Sequence, residues 1–212
     1  MDLDVFGILP FWDNLSEEEK ELTVNSCVIK SFKKGQLIYG DDFSCMGMII
    51  VAQGDIRVSL LSDSDRQATL FHVEEGDCCA VTASCVIKKL RFDTLVEAYE
   101  DTLLYVIPSS VLLKLNKNIY VKASVYELLT ERFSDVVSVM EDLLFKKFDD
   151  RLWDYLMDLC DKSGSNVLTI TQDEIASEIN SAREVVTRTL KKFASRGLIE
   201  VKRGKIIILK RD

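Results

Sequence analysis

Tyr126, Leu129, Phe133, Val136, Met140 and Leu143 recur at spacings of 3, 4, 3, 4 and 3 residues. That 3.5-residue repeat is the seam of a coiled coil, and no other feature of the chain restricts its fold so tightly. Val125, Leu128 and Val139 form a second apolar row on the same segment. A helix with two apolar faces needs two partners. The second row can pack on the chain's own core, and the seam predicts a second copy of the same helix in a parallel two-fold dimer. The alternative is a helix buried within one subunit.

The segments flanking this helix have different textures. Upstream, from about residue 28 to 107, stretches such as "MGMIIVAQGDIRVSLL", "ATLFHVEEGD" and "TLVEAYEDTLLYVIP" are short and rich in Val, Ile, Leu and Tyr. Gly35, Gly40, Gly54 and Gly76 punctuate them, as in a compact β barrel or roll, and Gly54-Asp55 reads as a tight strand connection. Ahead of these strands, Ser16 and Glu19 form the capping box of a short helix. Downstream, "FDDRLWDYLMDLCDKSGSN" predicts a helix with acidic residues in its first turn and a stop at Ser163-Gly164. The expected organisation is a sensor domain over residues 1–108, a dimerisation helix over 109–145, and a third part over 146–212.

In that third part Thr171 with Glu174 and Ser181 with Glu184 make two capping boxes, so two short helices are expected. Asn180 between them can take the left-handed conformation that such a turn needs. On the second helix Val186, Leu190 and Phe193 gather on one side, and Arg183, Glu184, Thr187 and Arg188 on the other. Gly197 caps its end, and "LIEVKRGKIIIL" predicts a hairpin turning at Arg203-Gly204. The pattern is a helix-turn-helix with a basic wing.

Charge supports that pattern. The chain carries a formal −8, yet residues 181–212 hold ten Lys/Arg against three acids, a net +7, which leaves −15 on the rest. An acidic body with one basic end predicts a polyanionic partner at that end only. In the major groove arginine grips the two acceptors of guanine bidentately, and glutamate accepts from cytosine N4. Arg183 and Arg188 are therefore candidate readers of guanine, Glu184 of cytosine, and Thr187 of a thymine methyl or a phosphate. Glu184 has a competing role as the capping partner of Ser181. Lys202, Arg203 and Lys205 on the wing, with Thr171, Gln172 and Ser181 at the helix starts, are candidate phosphate contacts.

Across nearly its whole length the sequence resembles the cyclic-AMP receptor/fumarate-nitrate regulator (Crp/Fnr) superfamily. The resemblance rests on "FKKGQLIYGDD", "MIIVAQGDIRVSLL" and "VEEGD" in order, then "DDRLWDYLMDL", "TQDEIASEIN", the "RE-x-x-x-R" of residues 183–188, and "LKKFASRGLIEV". It implies an α+β chain with a cupin-like β-roll of the cyclic-nucleotide-binding type, a long dimer helix and a winged helix-turn-helix. It further implies a homodimeric transcription factor on double-stranded, pseudo-palindromic operator DNA. Half-sites would resemble TGTGA or TTGA, RNA polymerase would be a further partner, and an effector in the roll would reorient the reading heads.

The segment that holds the cyclic phosphate in nucleotide-binding members departs from their pattern. Here it reads "GDCCAVTASCVIKKLRFDTLVEA", with no glutamate at the expected ribose contact and with Phe92 after Arg91. A buried phosphate lacking those partners would be poorly held, so cyclic AMP is not the expected effector. Cys78, Cys79 and Cys85 lie in the same stretch. They could ligate an iron–sulfur cluster or another thiophilic metal, or act as a thiol redox sensor. They could equally be small core residues. Neighbouring cysteines on a strand point to opposite faces, which makes Cys78 and Cys79 awkward joint ligands. His72, the only histidine, is expected to be structural rather than a haem ligand.

An apolar content of 47% with 29% charge excludes general disorder, and no apolar run approaches the length of a bilayer span. The acidic start "MDLDVFGILPFWDNL" is unlike a secretory leader, so the chain is expected in the cytoplasm with its cysteines as thiols. An enzyme is not expected: Cys-x-x-Cys, a nucleophile–histidine–acid set and a glycine-rich phosphate loop are all missing from the sequence. A cysteine-based redox protein, or a ligand-binding module that does not read DNA, is the competing function.

Overall fold

A computed structural model describes residues 3–39, 47–61, 67–80 and 94–211. Contacts divide the chain into two compact units, Met1–Ser64 with Leu70–Val137, and Asp65–Thr69 with Ser138–Asp212.

The first unit opens with two 3-10 turns, Asp4–Ile8 and Trp12–Asn14, and helix α1 (Glu17–Ser26). The Ser16–Glu19 capping box forms as the sequence predicts: Glu19 N–H donates to Ser16 Oγ at 3.3 Å, and Ser16 N–H to Glu19 Oε2 at 2.9 Å. Strands β1 (Val28–Phe32), β2 (Leu37–Tyr39), β3 (Met48–Gln53), β4 (Asp55–Leu61), β5 (Gln67–Glu74), β6 (Cys78–Cys79), β7 (Thr94–Ala98) and β8 (Thr102–Ile107) follow. They build two antiparallel four-stranded sheets, in the orders β1-β8-β3-β6 and β2-β7-β4-β5. Ile49, Val51, Cys79, Leu104 and Val106 of the first sheet meet Ile56, Val58, Val73 and Val96 of the second in one apolar cluster.

Met48 to Val51 are all buried because β3 is covered on both faces. Ile49 and Val51 belong to the cluster between the sheets, while Met48 and Ile50 join a second cluster on the other side. That second cluster takes in Phe6 and Phe11 of the N-terminal turns and Leu112 of helix α2 (Ser109–Leu115). It also receives Val121 and Val125 from helix α3 (Ile119–Phe145). The Gly54-Asp55 connection is tight but does not join neighbours in one sheet: it carries the chain from β3 in one sheet to β4 in the other. Gly54 has φ +86°, and a Cβ there would come 2.5 Å from the Asp101 carbonyl oxygen.

Asn118 starts α3, its Oδ1 accepting from Tyr120 N–H at 3.0 Å. Of the second apolar row, Val125 is buried and Leu128 packs against the same cluster. Tyr126, Phe133, Met140 and Leu143 of the seam are 42–69% exposed. Leu129 is shared, packing partly on the subunit's own core, and Val136 is half-buried. No helix among the described residues is long and apolar enough to cross a membrane.

The second unit contains helix α4 (Phe148–Ser163), strand β9 (Val167–Leu168), helices α5 (Gln172–Glu178) and α6 (Arg183–Ser195), and strands β10 (Ile199–Lys202) and β11 (Lys205–Ile208). Gly164 ends α4 in the left-handed conformation, as expected. β10 and β11 form the predicted hairpin, with Lys202 opposite Lys205 across the Arg203-Gly204 turn. β9 adds a third strand against β11, which two residues of sequence did not announce. Leu152, Leu156 and Cys160 of α4 pack with Ile175, Ala176 and Ile179 of α5 and with Val186, Leu190 and Phe193 of α6. Trp153 meets Phe193 edge-on at 5.3 Å.

Candidate nucleic-acid interface

The turn between α5 and α6 departs from the sequence reading at one residue. Asn180 takes the left-handed conformation, with φ 53°, as expected. Ser181 does not cap α6: the N-cap is Ala182, which makes no side-chain cap hydrogen bond. Ser181 N–H instead donates back to the Ala176 carbonyl at 2.9 Å, and Asn180 N–H to the Ser177 carbonyl at 3.4 Å. These are the two bonds of a Schellman ending for α5, with asparagine in the place glycine usually holds. Ser181 therefore finishes the first helix, and Glu184 is not committed to a capping box.

The other box forms as predicted. Thr171 N–H donates to Glu174 Oε2 at 2.8 Å, and Glu174 N–H to Thr171 Oγ1 at 3.2 Å. The Thr171 hydroxyl also donates to that carboxylate at 2.8 Å, so this candidate phosphate contact is engaged within its own helix.

α6 is sharply two-sided. Val186, Thr189, Leu190 and Phe193 are buried. Arg183, Glu184, Thr187 and Arg188 line an open concavity of about 410 Å³, joined by Lys191. Lys191 was absent from the predicted site, although its place three residues after Arg188 and four after Thr187 puts it on the same face. Arg183 Nη1 lies 3.1 Å from Asp173 Oδ2. Thr187 Oγ1 sits 2.5 Å from Gln172 Oε1 and 2.9 Å from the Arg183 carbonyl oxygen, so its one proton is shared between them. Gln172 is thus joined to α6. Arg188 is exposed and enters no ion pair among the described residues. On the wing Arg203 and Lys205 are exposed, and Lys202 lies 3.2 Å from Glu200.

Cys78 and Cys79 face opposite sides of their strand. Cys78 lies in the cluster shared with α3, and Cys79 between the two sheets. One metal centre cannot be held by both in this arrangement. Burial pushes the Cys78 thiol up to about 12, with Cys79 and Asp77 adding to the rise and Arg132 opposing it. Burial likewise lifts Cys27 to about 11. Since the thiolate is the reactive form, burial keeps Cys78 in its protonated, unreactive state at pH 8. Iodoacetamide should therefore leave Cys78 unmodified in the folded protein at pH 8 and label it in denaturant, as read by peptide mass spectrometry. Rapid labelling without denaturant would contradict this burial.

Cys85 and Arg91, which with Cys78 and Cys79 are the sequence's candidate effector or redox residues, lie outside the described residues. His72 Nδ1 is 2.7 Å from Asp55 Oδ2, and the ring meets Tyr99 edge-on at 4.8 Å. Arg132, which the sequence did not single out, holds its guanidinium 5.2 Å from the Phe71 ring, and its buried Nε has no hydrogen-bond partner among the described residues.

A two-sheet roll, a long helix with an exposed apolar stripe and a winged helix-turn-helix with arginines on its second helix define a class of transcription regulator in which one chain carries both sensor and DNA-binding parts. A profile described as a Crp-like helix-turn-helix domain matches residues 150–212, and one described as a cyclic nucleotide-binding domain matches residues 29–118. The crystal structure of a Crp/Fnr-family protein from Eubacterium rectale ATCC 33656 is 34% identical, with 97% of this chain and 96% of that one covered and a TM-score of 0.91. The chain belongs to the Crp/Fnr family of transcription regulators.

Two further likenesses are more distant. The c-di-GMP responsive regulator CLP of Xanthomonas campestris is 17% identical, with 92% of this chain and 100% of that one covered and a TM-score of 0.77, a likeness of fold. Electron transport regulator A of Shewanella oneidensis is 24% identical over 192 residues, or 85% of this chain and 74% of that protein.

Proposed function

We propose that the protein acts in the cytoplasm as a homodimer that binds a pseudo-palindromic operator and is controlled by an effector in the β-roll. The observation that carries this reading is the two-sided α6, with Val186, Leu190 and Phe193 buried and Arg183, Glu184, Thr187 and Arg188 facing outward. In this reading Arg183 and Arg188 grip guanines, Glu184 accepts from cytosine N4, and the Thr187 methyl meets a thymine. Lys191, Arg203 and Lys205 neutralise phosphates. RNA polymerase is the downstream partner. A half-site resembling TGTGA or TTGA follows from the family resemblance, with half-site centres about 34–36 Å apart.

For the effector we favour a small organic anion over cyclic AMP, an iron–sulfur cluster or a thiol switch. The segment after Gly76 lacks the ribose-binding glutamate of cyclic-nucleotide binders. The split burial of Cys78 and Cys79 argues against joint metal ligation, and their lodging in apolar clusters against ready oxidation. The Arg132 guanidinium pairs with Asp135 at 2.9 Å, and its buried Nε–H, without a hydrogen-bond partner among the described residues, is a donor for a negatively charged ligand.

Duplex binding measured against salt tests the reading. Log affinity should fall steeply as log salt rises, and operator DNA should be preferred over scrambled DNA throughout. Arg188→Ala should cost about 1–3 kcal/mol at one guanine position and relax selection there. Lys205→Ala should weaken all sequences alike and reduce the salt slope by about 1. A wild-type protein with no preference among duplexes at any ionic strength would overturn the proposal.

A further inference from the structure

The first turn of α5 touches the reading helix through two consecutive residues. Gln172 meets Thr187 at 2.5 Å, and Asp173 meets Arg183 at 3.1 Å. Thr187 and Arg183 are one turn apart on α6, so the two contacts fall in register along the reading face. Asp173 is a carboxylate on a surface that must face phosphates if α6 enters the major groove, where a negative charge opposes binding to every sequence. Its effect on Arg183 gives it a use.

Arg183 is the first residue of α6, where the positive end of the helix dipole disfavours a cation. The Asp173 carboxylate offsets that repulsion and holds the guanidinium at the concave face. Both side chains are more than half exposed, at 61% and 64%, so the pair is weak and can be exchanged. A phosphate fits the guanidinium fork much as the carboxylate does, so leaving Asp173 for one gains Arg183 little. Guanine offers two acceptors in the fork geometry of arginine.

We propose that Asp173 and Gln172 form a specificity brace. Asp173 withholds Arg183 from the DNA backbone and releases it to guanine, while Gln172 fixes Thr187 in register. Both act as positioning residues, and the inference rests on the DNA-reading role proposed above. The penalty on non-target DNA is a form of discrimination by repulsion, added to the attraction at the correct base.

Asp173→Asn removes the charge at constant shape and can be tested in the full-length dimer. Affinity for scrambled duplex should rise several-fold, with a salt slope steeper by about 0.9 as Arg183 gains a phosphate. Operator affinity should rise less, so the ratio of operator to scrambled binding falls. Asp173→Glu should restore most of that ratio. In an Arg183→Ala background Asp173→Asn should leave the ratio unchanged. An equal rise on both DNAs, an unchanged ratio, or an undiminished effect without Arg183 would overturn the brace, while wild-type operator preference would leave the function standing. A wild type that prefers no duplex would remove both.

Discussion

Phe133→Glu should leave the protein monomeric and lower its affinity for a two-half-site operator by about two orders of magnitude. Phe133 is 69% exposed in the isolated subunit, at the middle of a heptad stripe that Tyr126, Met140 and Leu143 continue. In a parallel two-fold pair each a-position residue meets its own copy. Glutamate there would bring two carboxylates together and remove both from water, with no cation in the stripe to compensate. The subunit's own core should survive, because Val121 and Val125 on the other face of α3 carry the packing against the roll. Sedimentation checks the mass, and thermal unfolding at high dilution checks the fold. A mutant that still sediments as a dimer would remove the coiled-coil argument. Each half-site should still be bound by a monomer with weak, salt-sensitive affinity.

Gly54→Ala should destabilise the roll by about 3 kcal/mol, the sum of a left-handed backbone penalty and overpacking. The residue holds φ +86°, and a Cβ would come within 2.5 Å of the Asp101 carbonyl oxygen and 2.8 Å of Thr102 Oγ1. Neither neighbour can retreat cheaply. Asp101 presents backbone, and Thr102 Oγ1 is bonded to the carbonyl oxygens of Asp55 and Glu100 at 3.0 and 2.9 Å. Because this residue takes the chain between the two sheets, the strain falls on the crossing that builds the roll. A lower urea midpoint at unchanged m-value is the expected signature. An unaltered midpoint would mean that the connection relaxes with little resistance.

Much of the second unit was legible because its signals are short-range. Thr171 and Glu174 are three residues apart, Gly164 directly follows the helix it ends, and Arg203-Gly204 is a two-residue hairpin turn. The same logic misled at Ser181. The sequence Ser-x-x-Glu is equally present whether serine opens one helix or closes another, and the Asn180 backbone settles the matter by aiming Ser181 N–H at Ala176. In the first unit alternation was masked. Met48 to Val51 read as an unbroken apolar run because both faces of β3 are covered, so the strand was visible but the two clusters it divides were not. Arg132 passed unnoticed for a related reason, since its meaning comes from Phe71 on a distant strand.

The residue order alone determined the Ser16–Glu19 and Thr171–Glu174 capping boxes, the heptad stripe of α3, the wing hairpin and the two-sided α6. Each depends on neighbours two to seven positions apart, whose relative directions are set by helix and strand periodicity. Tertiary structure decided that Cys78 and Cys79 face different clusters, that Gly54 crosses between sheets, and that Gln172 and Asp173 grip Thr187 and Arg183. Those facts depend on which surfaces meet when apolar faces from separate elements are buried together, a choice made by the packing of the whole unit.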